Sequence, residues 1–300
     1  MGSRIRITFW VVLCGMVLVV RATPLLVIID TGVCAGQVTE KEAPLAGAFA
    51  SDGKNPLSHD FVRSLPGFAD ENGHGTHVSG IVWRELLARE PQQQPALVML
   101  RAGRDRLQVE KLLDALAKIQ ELKRADHQIP VVLCPFSMTR LDSGIKGFDL
   151  FAEKLSELLE QGTIVVSATD GKSRDLDQLP DSDLFLPGCL DHPNLLTITP
   201  CSRDGFLAPR ASFGTKRVFA AAHGTQVTSL WLGGKTKKLS GSSQAAALAA
   251  AEVFYCLTRK EDPAELKNLR GILSKRALLH PSLLGKTASQ RYLKSLHPAE

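Results

Sequence analysis

The chain is 300 residues long, 44% hydrophobic and 22% charged, enough to bury the core of one large α/β domain or two small ones. Those proportions exclude a disordered tail, a collagen and a disulfide-stapled miniature. The formal charge of +5 owes most to Arg4, Arg6 and Arg21, which stand in the first 22 residues without an acid. The remainder carries only about +2, so no nucleic-acid footprint is indicated.

Residues 1–22 read as a targeting segment, with MGSRIR as a positive head, a largely apolar run over 7–20, and Val20 and Ala22 as small side chains at the cleavage positions. The run is shorter than the roughly 20 residues that cross a bilayer. A signal peptide and export are therefore expected first. An uncleaved anchor with Arg6 and Arg21 as flanks is the alternative, and the membrane is a partner only in that case. Residues 23–300 read as a single domain.

Of six cysteines, Cys14 falls in the targeting segment, leaving Cys34, Cys134, Cys189, Cys201 and Cys256, an odd set that cannot all pair. Cys189 and Cys201 bracket a strand-like stretch at 194–199 and are the disulfide candidates. No Cys-x-x-Cys pair exists, which argues against a zinc ribbon or a thioredoxin site.

Short β-branched runs at 25–29, 96–100, 130–134 and 163–168 predict strands. Stretches with apolar residues three and four apart, at 76–89, 107–124 and 148–161, predict the helices between them. This alternation implies right-handed crossovers and a parallel sheet covered on both faces. Further on come a polar acidic loop at 172–183, strands at 194–199 and 217–221, an alanine-rich helix at 242–257, and a helix at 264–275 opened by Asp262-Pro263.

Three segments carry chemistry. Asp30 ends the first strand, at the edge where parallel sheets place functional groups, though an Asp before Thr31-Gly32 also suits a turn. Asn72-Gly73-His74-Gly75-Thr76-His77 opens a helix. Its histidines lack the Glu and the spacing of a zinc-protease helix, and its glycines are out of register for a dinucleotide loop, so a general base beside a structural histidine is its best use. Gly241-Ser242-Ser243-Gln244 turns into the alanine helix. Either serine could be only a cap, yet the helix dipole there favours an ionising oxygen. The α/β-hydrolase order needs acid and histidine after the serine, and only His280 and His297 follow Ser243.

In chain order, Asp30-Thr31-Gly32-Val33, His74-Gly75-Thr76-His77-Val78-Ser79-Gly80 and Gly241-Ser242-Ser243-Gln244-Ala245 resemble the three active-site motifs of the subtilisin-like serine proteases. The likeness runs over residues 25–275, including Ala211-Ser212-Phe213 and Ala222-His223-Gly224 before the serine. It implies a three-layer α/β fold with a mostly parallel sheet. It also implies an endopeptidase acting on polypeptides, with Asp30, His74 and Ser243 as its triad and His77 in a structural role. The alternative is a catalytically impaired member that binds peptides or protein partners.

Four departures from the pattern bear on activity. Asp170, in Ser167-Ala168-Thr169-Asp170, stands at the oxyanion position, where the resemblance implies an asparagine donor. An ionised Asp only accepts and would leave activity low, whereas a protonated one could donate, which predicts a narrow, acid-shifted pH optimum. Pro135, Phe136, Ser137 and Met138 stand at the substrate cleft, where Pro135 lacks an N–H and Met138 is expected to narrow or close the pocket. Ala247 replaces a proline of the serine motif. Only 23–29 would separate a cleaved signal from Asp30, which leaves no room for a folding propeptide. No cofactor or metal is required. Calcium, as in family members, would have Asp175, Asp177, Asp181 and Asp183, which lack fixed ligand spacing and read as a solvated loop.

Overall fold

The computed structural model describes residues 23–34, 48–51, 56–66, 68–93, 95–259 and 268–296. The targeting segment, the Asp262-Pro263 helix start and His297 lie outside the described residues.

The alternating pattern folds as β1 (Leu26–Asp30), β2 (His59–Asp60), β3 (Leu65–Pro66), α1 (His74–Arg89), β4 (Leu97–Arg101), α2 (Val109–Arg124) and β5 (Val131–Cys134). There follow β6 (Met138–Thr139), α3 (Arg140–Glu160), β7 (Ile164–Ala168), β8 (Phe185–Leu186), β9 (Leu195–Cys201) and β10 (Ala220–His223). The chain then forms β11 (Val227–Leu230), β12 (Thr236–Leu239), α4 (Ser242–Arg259), α5 (Leu269–Arg276), β13 (Leu278–Leu279) and β14 (Arg291–Leu293). Ten strands make one sheet in the order β13-β14-β10-β9-β7-β5-β1-β4-β2-β3, parallel except where β13 meets β14 and β2 meets β3.

Alternation along each strand splits the core in two. Leu26 and Ile28 of β1, with Val131 and Leu133 of β5, pack under α1 and α4, whereas Val27, Ile29, Val132 and Cys134 pack under α2 and α3. The alanines of α4 are fully buried, as a helix lying close against its neighbours requires. From β1 the chain crosses to β4 on one side and returns to β5 on the other. The carboxyl ends of β1 and β5 therefore form the switch point of the sheet, where open α/β folds hold their ligands.

Two expectations shift. The third helix begins at Arg140 rather than 148, its Asp142 carboxylate accepting the Thr139 N–H and hydroxyl at 2.9 Å and 2.7 Å. Its first turns break at Gly144 (φ 68°) and expose Leu141 and Ile145, which erases the apolar period that would have revealed them. Cys189 and Cys201 are both free thiols, so the expected disulfide does not form. Cys201 ends β9 beside Ala221 and Tyr292, while Cys189 packs in a separate cluster with Leu176, Phe185 and Val218.

Candidate active site

Asp30 closes β1 and is 2% exposed, with one oxygen accepting the Thr31 N–H at 2.7 Å. His74 opens α1. Its Nδ1 lies 2.8 Å and 2.9 Å from the two Asp30 oxygens, so it is the donor, and Nε2 makes no bond among the described residues. Such closeness demands that the loop after β1 touch the first turn of α1. A Cβ on Gly75 would lie 2.2 Å from the Gly32 carbonyl oxygen, and Gly32 itself has φ +116°, so both positions need glycine.

Asp70 holds this junction together, and the sequence reading missed it. Its carboxylate accepts from Thr31 Oγ1 (3.1 Å), the N–H groups of Asn72, Gly73 and Thr76 (2.9–3.0 Å), and Thr76 Oγ1 (2.6 Å). Thr31 Oγ1 in turn accepts the Gly75 N–H at 3.0 Å, and Asn72 Oδ1 accepts that of His74. Each free N–H of the first turn of α1 is thus satisfied, and the loop bearing Asp30 is tied to the helix bearing His74. The one signal in the sequence was a polar Asp70-Glu71-Asn72 run just ahead of the helix.

Burial pushes the His74 imidazole down in pKa. The charge and hydrogen bond of Asp30 outweigh it, with Asp70 adding, so the group sits above the ordinary value of 6.5. His77, one turn on, is fully buried, and its Nε2 donates to the Lys237 carbonyl at 2.9 Å. Burial pushes it down to about 4, so it stays neutral, in keeping with a structural role.

Ser242 and Ser243 start α4 at the edge of the same sheet. The Ser242 hydroxyl donates to the Thr169 carbonyl beyond β7 at 2.6 Å, and that of Ser243 to the Pro135 carbonyl beyond β5 at 2.7 Å. Asp30 and His74 are therefore in direct contact. The Ser243 hydroxyl is bonded instead to Pro135, which lines the cavity that Asp30 and His74 also line.

Asp170 follows β7 and its side chain is 2% exposed. One oxygen accepts from Ser212 Oγ at 2.6 Å and the other from Arg174 Nε at 2.7 Å and Nη2 at 2.6 Å. Both oxygens are thus occupied by donors. Arg174 also bonds Asp183, and sequence reading did not foresee it because it lies in the acidic loop. Elsewhere in that loop Asp177 accepts from the N–H groups of Thr215, Lys216 and Arg217, and Asp175 from that of Asp177.

Pro135, Phe136, Ser137 and Met138 line a cavity of about 700 Å³ that reaches Asp30 and His74. Met138 is buried in the wall of this cavity, where β6 pairs with β8. The opposite side comes from residues 105–110, which the sequence reading did not single out.

Against solved structures, a cold-adapted subtilisin-like serine proteinase superposes with a TM-score of 0.70 over 92% of this chain and 90% of its own, at 19% identity. The fold is subtilisin-like. A lanthipeptide protease matches at 0.66 and 15% identity, over 86% of this chain and 82% of its own. The epidermin leader peptide processing serine protease of Staphylococcus aureus matches at 0.67 and 15% identity, over 92% and 74%. No protein-family model and no curated protein matches the amino-acid sequence. At these identities the likeness establishes a subtilisin-like architecture, and the chemistry rests on the residues themselves.

Proposed function

We propose that this chain is a serine endopeptidase that hydrolyses polypeptides through an acyl-enzyme. Ser243 is the nucleophile, His74 the general acid and base, and Asp30 the group that orients the imidazole and supports its cation. The observation that carries this reading is the Asp30–His74 pair at 2.8 Å on a cavity whose neighbouring wall, Pro135, accepts the Ser243 hydroxyl.

On this reading the Ser243 hydroxyl exchanges the Pro135 carbonyl for His74 Nε2 when a peptide binds. The oxygen bonds the scissile carbonyl carbon as its proton passes to Nε2. Collapse of the tetrahedral adduct breaks the C–N bond, and the same proton goes to the leaving amine. A water that gives its proton to Nε2 then bonds the ester carbon, the C–Oγ bond breaks, and that proton returns to the Ser243 oxygen. Developing charge on the carbonyl oxygen meets the Ser243 N–H, which has no partner within α4, and the positive end of the helix dipole.

A fluorophosphonate probe tests this without a guess at the substrate. The folded wild-type chain is expected to label and Ser243→Ala is not. Failure of the folded wild type to label would sink the reading.

One observation favours a second reading, in which the same cleft binds peptides without turning them over. Asp170, engaged by Ser212 and Arg174, offers no oxyanion donor. Peptide binding in a chain that does not label would select it. On either reading the partner is a polypeptide. Export follows from residues 1–22 as a removable signal, and secreted material should then begin at Thr23, whereas an anchored form would retain Met1.

A further inference from the structure

The cavity beside His74 has an apolar wall and an acidic rim. Leu107, Phe136 and Met138 line it, and Leu141 extends the same wall while 96% exposed, a leucine the fold itself leaves uncovered. On the rim Asp105, Glu110 and Asp142 stand with one lining cation, Arg106, all four exposed, while Lys172 acts on Asp142 from outside the lining and Asp30 binds His74 deeper in.

This acidity runs against a chain whose formal charge is +5. Asp105 accepts only the neutral Asn72 amide, and Glu110 has no ion pair among the described residues. Burial pushes Asp142 up, but its bonds from Thr139, with Arg106 and Lys172 nearby, outweigh that and hold it below the usual carboxylate range.

Resting on the protease reading above, we infer that this cavity selects polypeptide segments in which a basic side chain stands next to an aliphatic or aromatic one. The apolar residue covers Leu141 and Phe136, and the cation sits among Asp105, Glu110 and Asp142. A glutamate in its place meets three acids, offset only in part by Arg106 and by Lys172 beside Asp142. An exposed ion pair contributes up to about a fivefold effect, so several acids acting on one cation amount to roughly tenfold between lysine and glutamate. Because the rim is exposed, the preference shrinks as salt rises.

The test uses the full chain and quenched fluorescent peptides identical but for lysine, glutamine or glutamate beside one leucine. The expected order of kcat/KM is lysine, glutamine, glutamate, with about a tenfold span at low salt that narrows several-fold at high salt. Glu110→Gln and Asp105→Asn should each reduce the span, melting temperatures serving as the check on folding. A protein that labels with the fluorophosphonate yet cleaves the three peptides equally overturns the inference and leaves the protease reading standing. Should the wild type not label, the same peptides are titrated against Ser243→Ala by fluorescence anisotropy. There a tenfold tighter lysine peptide upholds the cavity's selectivity while the protease reading falls, and equal affinities overturn it.

Discussion

The Ser243 hydroxyl donates to the Pro135 carbonyl at 2.7 Å, which keeps its one proton away from His74. The bond is worth on the order of 1 kcal/mol, small enough for a bound peptide to exchange. Ser243→Ala therefore removes probe labelling and hydrolysis while lowering stability by about 1 kcal/mol or less. Ser242→Ala loses a bond to Thr169 but keeps most labelling. If Ser242 proves to be the labelled residue, the motif is misregistered by one.

The pH dependence of hydrolysis follows from the pair next to Ser243. A general base must be neutral, and the charge of Asp30 holds the His74 imidazolium to higher pH than an ordinary histidine. The acid limb of kcat/KM should lie above pH 6.5, the ordinary value. This replaces the acid-shifted optimum that a protonated Asp170 would have given. Asp70→Asn removes a second negative charge and should move the limb downward. A limb that stays put in Asp70→Asn while the melting temperature falls would reduce Asp70 to a purely structural role.

The sheet and its three chemical segments were legible because each depends on local sequence. β1, β4, β5 and β7 are runs of β-branched and aliphatic residues, with Asp30 ending the first, while His74 and Ser243 open helices just after Gly73 and Gly241. What stayed hidden depends on contacts between distant residues. Asp70 matters because Thr31 lies against it 39 positions away in the chain, and one oxygen of Asp170 is held by a Ser212 that is 42 positions distant. Likewise, nothing in the spacing of Cys189 and Cys201 revealed that they belong to different clusters.

His77 should make the fold sensitive to acid. As pH falls through 6.5 the unfolded chain protonates this histidine, whereas the folded chain resists until about 4. The unfolded state then binds more protons, and about 2 kcal/mol of stability is lost between pH 6.5 and 5. His74, with its raised value, contributes in the opposite direction over the same range. Comparing wild type with His77→Gln isolates the first effect, since glutamine can still donate to the Lys237 carbonyl. Chemical denaturation at pH 7 and pH 5 should show the variant losing less stability than the wild type. Equal losses would mean that His77 protonates in place.

Asp170→Asn sets rate against stability. In the wild type the carboxylate accepts from Ser212 and Arg174, so the position that should donate to a reacting carbonyl oxygen supplies only acceptors. Catalysis must then lean on the Ser243 N–H, and a missing donor there is worth on the order of 10² to 10³ in kcat. The asparagine amide restores an N–H while one oxygen remains for Ser212. The guanidinium of Arg174 retains Asp183 but gives up its charged partner at a site 2% exposed, which costs about 1.5–3 kcal/mol. The expected variant melts at a lower temperature and turns over faster near neutral pH, with kcat moved more than KM because the donor acts on charge that exists only in the transition state. Steady-state kinetics on one peptide, paired with a melting curve, measures both. A folded Asp170→Asn chain with unchanged or lower kcat would show that this side chain does not face the reacting oxygen.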